Sequence, residues 1–169
     1  ALQNEAALRA VLPHRQAGLC LMHMRGEPGT MQTLTDYADL VGEVAAFLGQ
    51  CAGTLRAAGV AADRIVLDPG YGFAKTTDQN FALLARQSEL LAMGHPLLAG
   101  WSRKRSIGDV TGRPVDQRLA GSLAAALAAV AQGASILRVH DVAATVDAIK
   151  VWLAVTDNSL HRQSRGSSR

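Results

Sequence analysis

Four short apolar runs, each closing on polar or charged residues, constrain this chain more than any other feature: GLCLMHM (18–24), RIVLDPG (64–70), PLLAGWS (96–102) and SILRVHD (135–141). Each has the length and make-up of a strand buried on both faces. Helical patterns run from about Asp36 to Ala58, from about Asp78 to Met93 and from about Pro114 to Gln132. Each is followed by a glycine, Gly59, Gly94 or Gly133, suited to the position just past a helix end. Pro114 belongs to a first turn, where its missing N–H costs nothing. A last helix starts near Asp141, and its pattern fades by Asn158. Only crossovers of this length return a chain in the same direction, so the runs predict an α/β fold with a parallel sheet. An open doubly wound sheet and part of a (β/α)8 barrel both satisfy the pattern, and composition does not separate them. In either layout ligands bind at the C-terminal ends of the strands, where the polar residues gather.

With 169 residues, 49% of them hydrophobic, the chain supports one domain with a sizeable core. The net charge of +3 comes from the tail HRQSRGSSR: without Arg162, Arg165 and Arg169 the balance is 14 basic to 14 acidic residues. The body is thus neutral and carries no electrostatic footprint for nucleic acid. The basic Ser/Arg-rich stretch 158–169 is expected to be a disordered tail, leaving 1–157 as the domain. No basic segment leads into an apolar one at the start, and no run of 18 apolar residues occurs, so no membrane partner is expected. Cys20 and Cys51 sit in apolar contexts without metal-ligand spacing. They read as buried free thiols of a reducing, cytoplasmic compartment.

Each strand tip offers a chemistry and a plainer alternative. At the fourth, strand alternation puts Arg138 and His140 on one side, a fork suited to phosphate or diphosphate, unless Arg138 merely pairs with a carboxylate and His140 caps a helix. At the third, Ser102 and Lys104 face one way and Arg103 and Arg105 the other if the extended geometry persists. Three consecutive cations are costly to gather without an anion, unless the loop is simply solvated. At the second, the Asp68 carboxylate can accept two N–H donors from a planar heterocycle. The glycines that follow let the backbone approach a flat ligand or shape the turn, and Lys75 is at the wrong spacing for a Walker A loop. At the first, Met22 and Met24 share a face while His23 points to the helix layer. No catalytic triad can be assembled, and no metal-ligand set appears.

Taken together, LMHMRGEPGTMQ, LDPGYGFAKTTDQNFALL, GWSRKRSIG and GSLAAALAAVAQGASILRVHDVAATVDA resemble dihydropteroate synthase, in family order and over nearly the whole chain to about Val155. The resemblance selects the barrel. It implies condensation of para-aminobenzoate with hydroxymethyl-dihydropterin diphosphate, with Mg²⁺ in attendance and sulfonamides as competitors. It also implies that Asp68 and Lys104 bind the pterin, with Met22 and Gly72 lining its pocket. Arg138 and His140 hold the diphosphate, and Phe73, Ser102 and Arg103 lie in the para-aminobenzoate region. No acid, base or covalent nucleophile is implied.

Family members begin with about three strands absent here, including the asparagine that binds the metal. The chain therefore corresponds to the C-terminal half of the barrel, with no metal ligand of its own, and its activity alone is an open expectation. Arg105 stands where many relatives carry a smaller serine, and Ala74 where many carry glycine. The resemblance further implies a homodimer in the full-length enzyme. Two alternatives are a noncatalytic pterin-binding fragment and a pterin-dependent methyltransferase of the same superfamily. The SRK and RVHD stretches argue against the latter, which has no diphosphate to hold.

Overall fold

The computed structural model describes residues 5–166, with side chains from 6 to 156. Strands β1 (Leu19–Met22), β2 (Ile65–Asp68), β3 (Leu97–Ala99) and β4 (Ala134–Leu137) pair in sequence order, and every pairing is parallel. This is the β/α repeat of a (β/α)8 barrel, at half its number. The register carries one irregularity. Leu97 pairs with Ala134 but Leu98 with Ile136, so Ser135 is in excess at a bulge.

Helix α2 (Leu40–Ala57) follows β1 after a long loop. Asp39 caps its first turn by accepting from the Gly42 N–H at 3.2 Å, while Glu43 reaches back to the Ala38 and Asp39 amides. Its buried residues Val41, Val44, Leu48 and Leu55 recur at helical spacing and form one stripe against the sheet. Helix α3 (Thr77–Ala85) opens on a full capping box between Thr76 and Gln79. The single helix expected to Met93 ends at Ala85 and continues as a 3-10 run, Gln87–Met93. There the buried Gln87 accepts from the Tyr71 hydroxyl and donates to the carbonyls of Ala129 and Gln132, anchoring the turn by tertiary bonds.

Pro114 precedes a 3-10 turn, Val115–Gln117, and helix α5 proper spans Leu119–Ala131. Two short helices were not read from the sequence: α1 (Glu5–Val11) and α4 (Arg105–Thr111). The last helix, α6, spans Val142–Gly166, past the point where its apolar pattern fades, because an established helix gains a bond with each added residue. The expectation of disorder at the chain's end lies, for residues 167–169, outside the described residues.

One face of the sheet is the core. Leu19, Leu21, Ile65, Leu67, Leu97 and Ala99 are buried against α2, α3 and α5, each large side chain contributing roughly 1.5–3 kcal/mol. The strands are not buried on both faces as expected. Register places Cys20 opposite Val66 and Met22 opposite Asp68 on the other face, where Cys20 and Ile136 are exposed and Leu98 is half-buried. Helices cover only one side, so Cys20 is not a buried thiol, and Cys51 is half-buried. Burial nevertheless raises both thiols, Cys20 also through the Asp68 charge. Among the described residues no helix is long and apolar enough to cross a membrane.

Candidate functional site

Asp68 is the last residue of β2 and lies on the concave face, yet it is 2% exposed. Its Oδ1 accepts the Gly70 N–H at 2.8 Å, and its Oδ2 lies 3.2 Å from Nη2 of Arg138. Burial raises its pKa; the Gly70 amide, Arg138, Lys104 and Lys75 oppose that rise. Such a carboxylate still has lone pairs free for paired N–H donors.

The loop after β2 builds the next wall. Gly70 has φ +71°, and a Cβ there would fall 1.9 Å from the His23 carbonyl oxygen, so glycine is required. The Gly72 amide donates to Asn80 Oδ1 at 2.7 Å, and the Lys104 stem runs 3.1 Å from where a Gly72 Cβ would sit. The Lys104 ammonium rests 4.3 Å from the centre of the Phe73 ring. Burial and Arg138 lower the Lys104 pKa, and Asp68 raises it. Asp68, Gly72, Phe73, Lys104 and Arg138 thus converge, and Met22 joins them as the register partner of Asp68.

The third and fourth strand tips are tied together. Ser102 Oγ accepts the His140 amide at 3.2 Å and lies 2.9 Å from His140 Nδ1. Arg138 leaves β4 with its N–H on the Ala99 carbonyl, its guanidinium 2.9 Å from the position of a Gly100 Cβ. The plainer reading of Arg138 as partner of a carboxylate is thus realised, with Asp68 as that carboxylate. The same contact puts the cation and the carboxylate in one site.

The expected alternation of the SRKR stretch does not survive. Arg103 is left-handed at φ 58°, and α4 begins at Arg105, so the extended geometry ends at the strand. Its cations also find partners within the chain: Arg103 bonds Asp141 at 2.6 and 3.1 Å, and Arg105 lies 3.7 Å from Asp109. The Arg103–Asp141 bond lowers the Asp141 pKa and raises that of Arg103. Ser102 and Lys104 keep their place in the site, whereas the Arg103 side chain is held by Asp141.

Sequence reasoning passed over the residues that fix these loops. Ser122 Oγ accepts the Arg103 N–H at 2.9 Å, and Arg118 donates to the carbonyl of Arg103. The buried Asn80 donates to Thr76 and Ser106 while receiving Gly72. His23 does face the helix layer, edge-on to Phe47 at 5.0 Å, and its Nδ1 meets the Lys75 ammonium at 2.9 Å. Ser122, a polar residue in the otherwise apolar LAGSLAAALAAVA, carried an available signal, whereas Asn80 follows three polar residues in TDQN and carried none.

The model of the family described as "Pterin binding enzyme" matches residues 1–140. A dihydropteroate synthase of Neisseria meningitidis serogroup B is 50% identical over 162 residues, 94% of this chain and 57% of the relative. A crystal structure of dihydropteroate synthase from Stenotrophomonas maltophilia with active site-bound imidazole superposes with a TM-score of 0.88 at 51% identity, covering 92% of this chain and 58% of that one. A Xanthomonas albilineans dihydropteroate synthase in complex with 7,8-dihydropteroate gives 0.84 at 47%, over 92% and 56%. The chain therefore spans little more than half the length of these relatives.

Proposed function

Since the chain belongs to the pterin-binding enzyme family, we propose that it carries the pterin and diphosphate half of a dihydropteroate synthase site. The observation that carries the reading is the meeting of Asp68, Lys104 and Arg138 beside the Ser102–His140 pair. In the proposed reaction the C–O bond between the pterin methylene and diphosphate breaks. The C–N bond to the aryl amine of para-aminobenzoate forms, and the amine gives up a proton. Charge separates as diphosphate leaves, so the task of the protein is to stabilise both ends and to position the amine. The Asp68 carboxylate accepts from the pterin edge and favours its developing positive charge. Arg138 and His140 face the departing anion, Ser102 holding the imidazole in place. The Phe73 ring and the Lys104 stem form the wall against which the amine approaches, and Met22 and Gly72 line the pterin pocket. Arg103 supports this region through its backbone.

Magnesium belongs to this proposal as an ion brought with the diphosphate. Among the described residues no group of three or more His, Cys, Asp or Glu is placed to hold a metal. Sulfonamides are expected to compete as aryl amine mimics. A cytoplasmic homodimer is part of the same reading; the apolar groove that Phe81, Leu84, Ile107 and Val110 form with Ala124 and Ala128 of α5 is the surface offered for the dimer contact. A second reading is binding without turnover, in which the same residues hold the pterin and the diphosphate.

The test is calorimetric titration of hydroxymethyl-dihydropterin diphosphate with magnesium into the chain and its Lys104→Ala variant, followed by para-aminobenzoate and assay for dihydropteroate. Binding that weakens in the variant supports the assignment, and product formation decides between the two readings. Absence of binding to the unaltered chain refutes both.

A further inference from the structure

Lys75 is 4% exposed, and none of its three hydrogen-bond partners is a carboxylate. Its ammonium reaches His23 Nδ1 at 2.9 Å and the carbonyls of Gly70 and Phe73 at 3.1 Å each. Three N–H donors meet three acceptors, so a buried charge is satisfied without an ion pair. The two carbonyls bracket the turn that carries Gly72 and Phe73. The turn is also tied by the Gly70 and Gly72 amides, to Asp68 and Asn80, by Gln32 Nε2 on the Gly72 carbonyl at 3.3 Å and by its own Phe73 N–H on the Gly70 carbonyl at 3.1 Å, while Lys75 takes the carbonyls at its two ends. Ala74, next along, is left-handed at φ 49°, a conformation that a non-glycine residue keeps when its surroundings hold it.

We propose that Lys75 is a positioning residue for this site: clamped between His23 and the carbonyls of Gly70 and Phe73, its ammonium holds the turn that sets the Phe73 ring beneath Lys104. The proposal rests on the pterin and aryl amine reading above and adds what governs the aryl amine side of it. Pterin recognition by Asp68 does not depend on the Phe73 carbonyl. Placement of the Phe73 ring does.

The arrangement also has a pH signature. Burial lowers the Lys75 pKa to about 7, with Asp68 at the β2 tip raising it and Arg25 and Lys104, from the loops after β1 and β3, lowering it. His23 stays a neutral acceptor throughout this range, and the Tyr37 and Phe47 rings that flank it bring no charge near neutrality. As pH rises through about 7 the ammonium loses one of its three N–H donors, and the hold on the turn loosens.

The experiment compares the full chain with Lys75→Met, which keeps the length of the stem and removes the donors. Affinity is measured for hydroxymethyl-dihydropterin diphosphate, and for para-aminobenzoate with pterin and diphosphate present. Lys75→Met should weaken para-aminobenzoate at least about tenfold and the pterin less than about threefold. The unaltered chain should lose para-aminobenzoate affinity as pH rises through about 7, and the variant should not. Equal losses for both ligands, or none, overturn the proposal.

Should the unaltered chain bind neither ligand, the functional reading fails and the backbone amides decide this one. In Lys75→Met the Gly72 and Phe73 signals should move while Leu21 and Leu67 stay; unmoved Gly72 and Phe73 signals overturn it. Should Lys75→Met not fold, His23→Leu removes one acceptor and His23→Gln keeps one. Loss of para-aminobenzoate affinity, or displaced Gly72 and Phe73 amides, in the leucine variant alone supports the clamp, and identical behaviour of the two refutes it.

Discussion

Arg138 and Asp68, which stand 70 residues apart in the chain, meet across β3: Nη2 lies 3.2 Å from Oδ2, with the carboxylate side chain 3% exposed and the guanidinium's 59%. The pair is lopsided, a buried anion under a cation that water still reaches. Neutralising the anion therefore leaves Arg138 solvated and removes a buried charge. Asp68→Asn should keep the fold, since its amide oxygen can still accept the Gly70 N–H. It should lower pterin affinity by about ten- to a hundredfold, the ~1.5–3 kcal/mol of hydrogen bonds to a charged group. Calorimetry beside a melting curve checks both halves, and unchanged affinity would remove Asp68 from the site.

The His140 imidazole is oriented by one hydroxyl. Ser102→Ala deletes the partner of both the ring Nδ1 and the His140 amide. Titration with inorganic diphosphate should show a loss of about fivefold, near 1 kcal/mol. Replacement by threonine should restore most of it, as the hydroxyl returns.

Acid should act through His23. Burial, then Lys75 and Arg25, depress its pKa from 6.5 to about 3. A group depressed in the folded state stabilises above its unfolded value and loses that contribution as pH falls. The urea midpoint should therefore drop as pH falls from 6.5 towards 3, and less steeply in His23→Gln, which keeps an acceptor for Lys75 without a proton to gain. Identical slopes for the two proteins would place the acid sensitivity elsewhere.

Two glycines of similar dihedral should respond differently. Gly59 has φ +89° with nothing within 4 Å of a Cβ, whereas at Gly70 a Cβ would collide with the His23 carbonyl. Gly59→Ala should cost about 1 kcal/mol, the left-handed penalty alone. Gly70→Ala should cost more than about 2 kcal/mol and weaken pterin binding as well. Chemical denaturation of the two variants measures the gap.

The parallel sheet was legible because runs such as RIVLD, bounded by helical patterns and glycines, leave a chain few alternatives. That Asp68, Lys104 and Arg138 meet at the strand ends was legible because polar groups closing an apolar run mark the tips of parallel strands, whereas the sequence left open whether Arg138 would pair with a carboxylate, as it does with Asp68. The fate of Arg103 was not legible, because it depends on a left-handed backbone held by Ser122 from another helix. Cys20 was misread for a different reason. An apolar neighbourhood in sequence says nothing about which sheet face lacks helices. Lys75 was read only against a nucleotide-loop spacing, and its partner His23 lies 52 residues away.

The bulge at Ser135 lies upstream of the ligand-facing tip, and beyond it the ladder is regular from Ile136 and Leu137 to the Arg138 amide. Strand β4 therefore has one place where its length is negotiable. Deleting Ser135 would straighten the strand and leave Arg138 facing Asp68. Deleting Ile136 or Leu137 would turn the guanidinium towards the helices, because one step along a strand exchanges its two sides. The chain thus tolerates changes of length before the tip of β4 and not within it, an asymmetry that insertion and deletion libraries across residues 133–141 would read directly.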